Sequence, residues 1–301
     1  MSKSQEKIGI TLVLLSASIH GLSPLIISKE SHNIPPVTFA AITTIIGAFF
    51  CFLIVLKQKK LHELKIKKAY PSLLLVGLLI VIIPHILFFI GSSKTSGINT
   101  SLLGLSEMIF LLIFTPFIGE KNTPEKVLSA LAILIGGIFI LYQGKLTINT
   151  GDLLIIASTA CYPIGNFYAK KAFNMVSSST VLFVRFLLGA IAIPPIAFFL
   201  EPQANIQNII TNHWITIFFT GIIFLGIGKT LWYEGFKRLD MSKGISLILT
   251  APLFSVFFLV TIFHENISIQ QWMGIAIMTI GIYFSAKRKS VDMDKTKYGI
   301  I

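Results

Sequence analysis

Charge of either sign is scarce in this chain. Only 13% of its 301 residues are Asp, Glu, Lys or Arg, and just 13 are acids, where a soluble domain carries about a quarter charged residues. What stands in their place is apolar: 54% of residues are hydrophobic, Phe alone (25) outnumbers the acids, and mean hydropathy is +0.81. That surplus is too large for a soluble core and places the chain in the membrane class. Cysteine is nearly absent. Cys51 and Cys161 lie in separate apolar runs, which excludes a disulfide framework and a cysteine metal site and leaves the redox compartment open. There is no HExxH, no GxSxG, no P-loop lysine motif and no Cys/His cluster. No catalytic residue, metal or cofactor is therefore expected, and a membrane enzyme is the poorer reading. The formal charge of +12 could suggest nucleic acid. Its lysines, however, sit in short segments between apolar runs, a signal of topology and lipid contact rather than of a nucleic-acid partner.

A span needs about 17–25 mostly apolar residues. Ten stretches qualify: 8–28, 36–56, 70–91, 99–118, 125–142, 152–172, 178–200, 214–236, 244–263 and 269–286. Runs of this length satisfy their own backbone in lipid only as helices. The expected fold is an all-α integral membrane protein of ten transmembrane helices. The Lys3/Lys7 flank leads into a long apolar run with no small-residue cleavage site, so the first run reads as a retained span. Alternate connections hold 20 Lys and Arg against three (Lys29, Lys94, Lys145), with Arg185 and Lys229 inside spans. Positive loops stay inside, which predicts both termini in the cytoplasm.

The chain also repeats itself. GEKNTPEKVLSALAILIGGIFIL (119–141) aligns with HENISIQQWMGIAIMTIGIYFSA (264–286) at an offset of 145: Glu120 with Glu265, Thr123 with Ser268, Ser129 with Gly274, Gly136 with Gly281. At an offset of 142, Gly9 meets Gly151, Lys29 meets Lys171 and Thr43 meets Arg185. Five spans per half means that the second half enters from the opposite face, giving two inverted five-helix repeats, 1–148 and 149–287, and a basic cytoplasmic tail, 288–301. Such an arrangement puts a substrate site near mid-bilayer between the halves and permits alternating access.

Each half ends as a small or Pro residue, an apolar run, then Glu-x-x-Thr/Ser-x5-small-x6-Gly, carried by Gly119-Glu120…Gly136 and by Glu265…Gly281 with Pro252 thirteen residues upstream. In this the chain resembles the EamA-type transporters of the drug/metabolite transporter superfamily over nearly its whole length. Arg185, inside the second span of its half, is also family-like. Thr43 replaces it in the first half, and Glu107 stands where the second half has Pro252. The resemblance implies import or export of a small metabolite, often an amino acid or related compound, across the bacterial inner membrane.

Among residues that carry chemistry, Glu107 is foremost. It lies eight residues, or ~12 Å by helical rise, inside its span, and an ionised carboxylate in hydrocarbon costs at least a few kcal/mol. It could carry a coupling proton or meet a substrate ammonium; the plain alternative is a protonated acid bonded to Ser106 or a neighbouring helix. Arg185 offers a planar fork of donors to a substrate carboxylate, or neutralises an acid structurally. Lys229, with Glu234 five residues on, reads more as a gate or local salt bridge than as a substrate contact. His20 and His85 could relay protons, or simply bond to backbone carbonyls. Tyr162 matches His20 at the 142 offset and could face it across the site. Trp232 and Tyr233 could stack on a flat substrate or anchor the helix at the interface. Pro24, Pro84, Pro116, Pro163 and Pro252 permit kinks. The spacings Ser129…Gly136 and Gly274…Gly281 allow close helix contact within a monomer or between two copies.

The expectation is a secondary transporter for a small polar metabolite, an amino acid or related zwitterion or anion. Protons supply the energy, since no nucleotide motif exists. Its partners would be the substrate, protons and membrane lipids, as a monomer or homodimer. The alternatives are a nucleoside-like or heteroaromatic substrate, favoured by Trp232, Tyr233 and the Phe-rich spans, and a non-transporting scaffold or membrane enzyme.

Overall fold

Membrane helices satisfy their backbone groups internally, and the described residues are almost all helical. The computed structural model describes residues 3–23, 26–27, 30, 33–118, 122–142, 149–263 and 268–287, with no strand among them. The helices in order are α1 (Lys3–His20), α2 (Pro36–Lys57), α3 (Lys67–Ser92), α4 (Gly97–Gly104), α5 (Glu107–Phe114, extended by a 3-10 turn), α6 (Pro124–Leu141), α7 (Thr150–Ala172), α8 (Ser178–Leu200), α9 (Ile206–Phe236), α10 (Met241–Ile248), α11 (Ala251–Phe263) and α12 (Ile269–Lys287). Side-chain caps start many of them. Ser96, Thr123, Ser177, Asn205 and Asp240 each accept a first-turn N–H, and Asn149 with Asp152 forms a reciprocal capping box.

Seven described helical runs are long and apolar enough to cross a membrane: Pro36–Lys57, Lys67–Ser92, Asn99–Ile118, Pro124–Leu141, Ser178–Leu200, Ile206–Phe236 and Met241–Phe258. Three further helices, α1, α7 and α12, coincide with predicted runs but fall outside that set. In α1 the first turns hold Lys3, Glu6 and Lys7, and in α7 Ser158, Thr159 and Asn166 are buried polar groups turned into the protein. In α7 the hydropathy is diluted by residues that face other helices, and in α1 by charged residues of its first turns, of which Lys3 and Lys7 are exposed.

Two corrections concern continuity. The span 99–118 keeps its bounds but turns at Leu105–Ser106, and Glu107 is the first residue of the half-helix α5. The first run, read as 8–28, starts at Lys3 and is interrupted at Gly21–Leu22, where Gly21 lets α1 approach α11 closely; Ser23, Ile26 and Ile27 are helical again. Glu120, Glu265, Lys29, Lys145, Pro24 and the tail from 288 lie outside the described residues.

Irregularities recur at the repeat offsets. The break before α5 at 105–106 has a counterpart before α11 at 249–250, where Pro252 opens the second half-helix. A π-helical stretch occupies Gly77–Ile82 within α3, and another begins 142 residues later at Phe219–Gly228 within α9. Helix crossings recur as well. Gly9 of α1 packs on Gly235 of α9, and Gly151 of α7 packs on Gly91 of α3. Gly136 and Gly274 bring α6 and α12 into backbone contact, so these small-residue spacings are used inside one copy of the chain.

Candidate functional site

The breaks and π stretches converge on one cavity of about 220 Å³. A π turn and a helix break both free backbone groups and re-aim side chains, and such features gather at functional positions. The lining comes from α1, α3, α4, α5, α7, α8, α9, α10 and α11 together. Seven of the eight residues singled out above line it: His20, His85, Glu107, Tyr162, Arg185, Lys229 and Trp232. Tyr233 does not. It is fully buried behind Arg185, whose guanidinium donates to the Tyr233 hydroxyl at 2.6 Å and lies over the rings of Tyr233 (4.3 Å) and Phe186 (4.6 Å). Trp232 is also buried and stacks on Phe236 at 4.5 Å, so neither residue is an interfacial anchor.

The acid and the cations are brought together without pairing. Glu107, 9% exposed, takes one long contact from the Asn166 amide at 3.5 Å. Of the two partners considered for it, a neighbouring helix supplies this contact, while Ser106 is bonded to Thr159 at 2.7 Å. Glu234 does not serve Lys229: it pairs with Arg238 at 2.9 Å and accepts from Ser178. Helical geometry explains the choice, because a step of five residues turns ~140° away while a step of four nearly returns to the same face. Among the described residues, Lys229 has neither a hydrogen-bond nor an ion-pair partner, and it lines the cavity instead.

The two histidines are held from opposite walls. His20 lines the cavity; its Nδ1 donates to the Ser16 carbonyl at 2.8 Å, which fixes the proton on that nitrogen and leaves Nε2 buried and without a partner. His85 Nδ1 lies 3.3 Å from the Thr44 hydroxyl. The sequence reading missed Asn166, Thr159 and Thr100, of which Thr100 is buried with an unpartnered hydroxyl. A signal existed for the first two: Thr159 and Asn166 stand three before and four after Tyr162, on one helical face. Phe88, Phe89 and Phe224 complete the apolar wall.

One end of the bundle is closed by charge. Lys243, fully buried at the start of α10, bonds to Glu6 of α1, and Arg238 Nε donates to Gln5 at 3.0 Å. Lys170 of α7 donates to the carbonyls of Phe236 and Leu239 and lies over the Phe236 ring at 4.3 Å. Glu6 and His20 are separated along α1 by ~21 Å of helical rise, whereas Lys170 and Phe236 lie next to the cavity wall, Phe236 stacking on its Trp232. Among the described residues no His/Cys/Asp/Glu group could hold a metal.

Comparison with known proteins gives a consistent picture. The profile of the EamA-like transporter family matches residues 7–142 and again 149–286. Uncharacterized transporter YoaV of Bacillus subtilis is 25% identical over 274 residues, covering 86% of this chain and 91% of that protein. A protein of Escherichia coli named "Probable amino-acid metabolite efflux pump" is 22% identical, covering 91% and 93%. A solved crystal structure superposes with a TM-score of 0.76 at 21% identity, covering 95% of this chain and 97% of the other; at that identity the likeness speaks for the fold.

Proposed function

The chain belongs to the EamA-like transporter family, and we propose that it is a proton-coupled secondary transporter moving an amino acid or related zwitterion or anion across the bacterial inner membrane. Ten spans form two inverted halves with both termini in the cytoplasm, and the cavity is exposed alternately to each side. The recurrence of helix breaks, π stretches and glycine crossings at offsets near 142 and 145 supports the two halves. The observation that carries the substrate reading is the unpaired meeting of Glu107 with Arg185 and Lys229 in one small cavity. A carboxylate that takes only an amide contact has room for a proton or a substrate ammonium, and two cations await an anionic group. The amino-acid efflux pump among the relatives points the same way.

Protein reconstituted in liposomes with an amino-acid gradient tests this. Counterflow of an amino acid is expected, rising with an imposed proton gradient, and Glu107→Gln is expected to remove that dependence. A Glu107→Gln protein that keeps both transport and its pH dependence would end the coupling role. The aromatic wall of Phe88, Phe89, Phe224 and Trp232 favours a second reading, a nucleoside-like or other heteroaromatic substrate, which competition by such compounds in the same liposomes would reveal.

A further inference from the structure

We propose that the substrate carries one net negative charge, as two acidic groups and one ammonium: a small dicarboxylic amino acid. This deepens the transport reading above and rests on it. The argument is one of charge balance in a place where imbalance is costly. The ionic groups lining the cavity are Arg185, Lys229 and Glu107, accompanied by His20 and His85.

None of the three stands in a direct ion pair among the described residues, and Glu107 and Lys229 act on one another only through space. The ion pairs described elsewhere in the chain, His213–Glu30, Arg238–Glu234 and Lys243–Glu6, all lie outside the cavity lining. Arg185 meets a phenol and two aromatic rings, its Nε lacks a partner, and an arginine cannot shed its charge. Lys229 has no partner among the described residues, and Glu107 has a neutral amide. Buried charges left without counter-charges are strongly unfavourable, and they persist where a ligand completes them.

Completion sets the ligand's groups. Each cation calls for an anionic group, and Glu107 with Asn166 calls for an ammonium. A neutral zwitterion supplies one anionic group and leaves one of the two cations without a counter-charge. A cationic compound leaves both. A dicarboxylic amino acid satisfies all three and leaves none over. The cavity, at about 220 Å³, lies below the ~300–1,000 Å³ typical of drug-sized ligands, which suits a molecule of four or five carbons.

Matched probes decide the matter: glutamate against glutamine and aspartate against asparagine, with glutarate as the diacid that lacks an amine. Full-length wild-type protein is assayed for thermal stabilisation by each, since a ligand stabilises the state it binds, and for counterflow in liposomes. The acidic member of each pair is expected to act at a concentration at least tenfold lower than its amide. Glutarate is expected to fall between glutamate and no effect. Lys229→Met should erase the acid-over-amide preference, and Lys229→Arg should retain part of it. The wild-type panel decides the question even where a variant fails to fold. Equal action of acids and amides would overturn the net charge while leaving amino-acid transport standing. Absence of counterflow for every compound, neutral or acidic, would overturn both.

Discussion

Thr180, in the first turn of α8, gives its hydroxyl to Glu63 at 2.6 Å, and Glu63 comes from the connection that follows α2. The relation is returned. Thr38, 142 residues earlier in the first turn of α2, gives its hydroxyl to Glu201 at 2.7 Å, and Glu201 directly follows α8. Each carboxylate also takes backbone N–H groups, Glu63 from Ser177 and Glu201 from Val37 and Thr38. Two adjacent helices from opposite halves of the chain thus cap one another. A carboxylate at a helix start satisfies orphan donors and complements the positive end of the dipole.

Glu63 makes this cap sensitive to acid. Partial burial pushes its carboxyl up, but the hydrogen bonds from Thr180 and Ser177, aided by the charge of Lys60, outweigh that and hold it below the ordinary range. A depressed carboxyl contributes stability above its unfolded value, near 4.3, and loses it as pH falls through the lower folded value. Glu63→Gln should lower stability by about 1 kcal/mol at neutral pH, the usual worth of a cap. Thermal unfolding from pH 7 downward should show the gap from wild type closing once pH drops below about 4.

Gly136 and Gly104 should respond differently to the same substitution. A Cβ on Gly136 would lie 2.6 Å from the Met278 backbone nitrogen and 2.7 Å from the Gly274 carbonyl, and backbone cannot swing aside. Gly136→Ala should destabilise by about 1–3 kcal/mol, the usual penalty of overpacking. A Cβ on Gly104 meets nothing within 4 Å, so Gly104→Ala should leave thermal stability unchanged while narrowing the cavity it lines. Paired melting curves and ligand titrations check both.

Arg185→Lys keeps the charge but loses the planar fork that reaches Tyr233 and lies between two rings. Ligand affinity should fall about tenfold or more, as expected for a charge-assisted hydrogen bond worth about 1.5–3 kcal/mol. Tyr233→Phe keeps the ring and removes only the phenol, so its loss should be smaller. Equal affinity across all three proteins would show that the orientation of Arg185 is immaterial to the ligand.

Glu6 and Lys243 should behave as a coupled pair. Lys243 is fully buried and Glu6 partly exposed, so Glu6→Gln removes a negative charge from beside a buried ammonium and should cost about 2 kcal/mol, below the ~3–5 kcal/mol of a wholly buried pair. Combining it with Lys243→Met should cost less than the two singles added together. A double-mutant cycle by thermal unfolding measures this, and strict additivity would remove the pair from the closure of that end.

The sequence alone determined that this protein is helical and membrane-embedded, because hydrocarbon permits few ways to satisfy a backbone and long apolar runs advertise the one used here. It also marked Glu107, Arg185, Lys229, His20, His85, Tyr162 and Trp232, since a polar group inside such a run is conspicuous by its expense. Only the tertiary structure decided their company. It gave Glu234 to Arg238 rather than Lys229, placed Tyr233 behind Arg185, bonded Ser106 to Thr159, and added Asn166 to the wall. It also put a turn at Leu105–Ser106 inside the span 99–118, leaving Glu107 at the head of a half-helix. The cost of burying a side chain is a property of the residue and can be read from the sequence. The identity of its partner depends on which distant helix packs against it, as with Glu63 and Thr180, 117 residues apart.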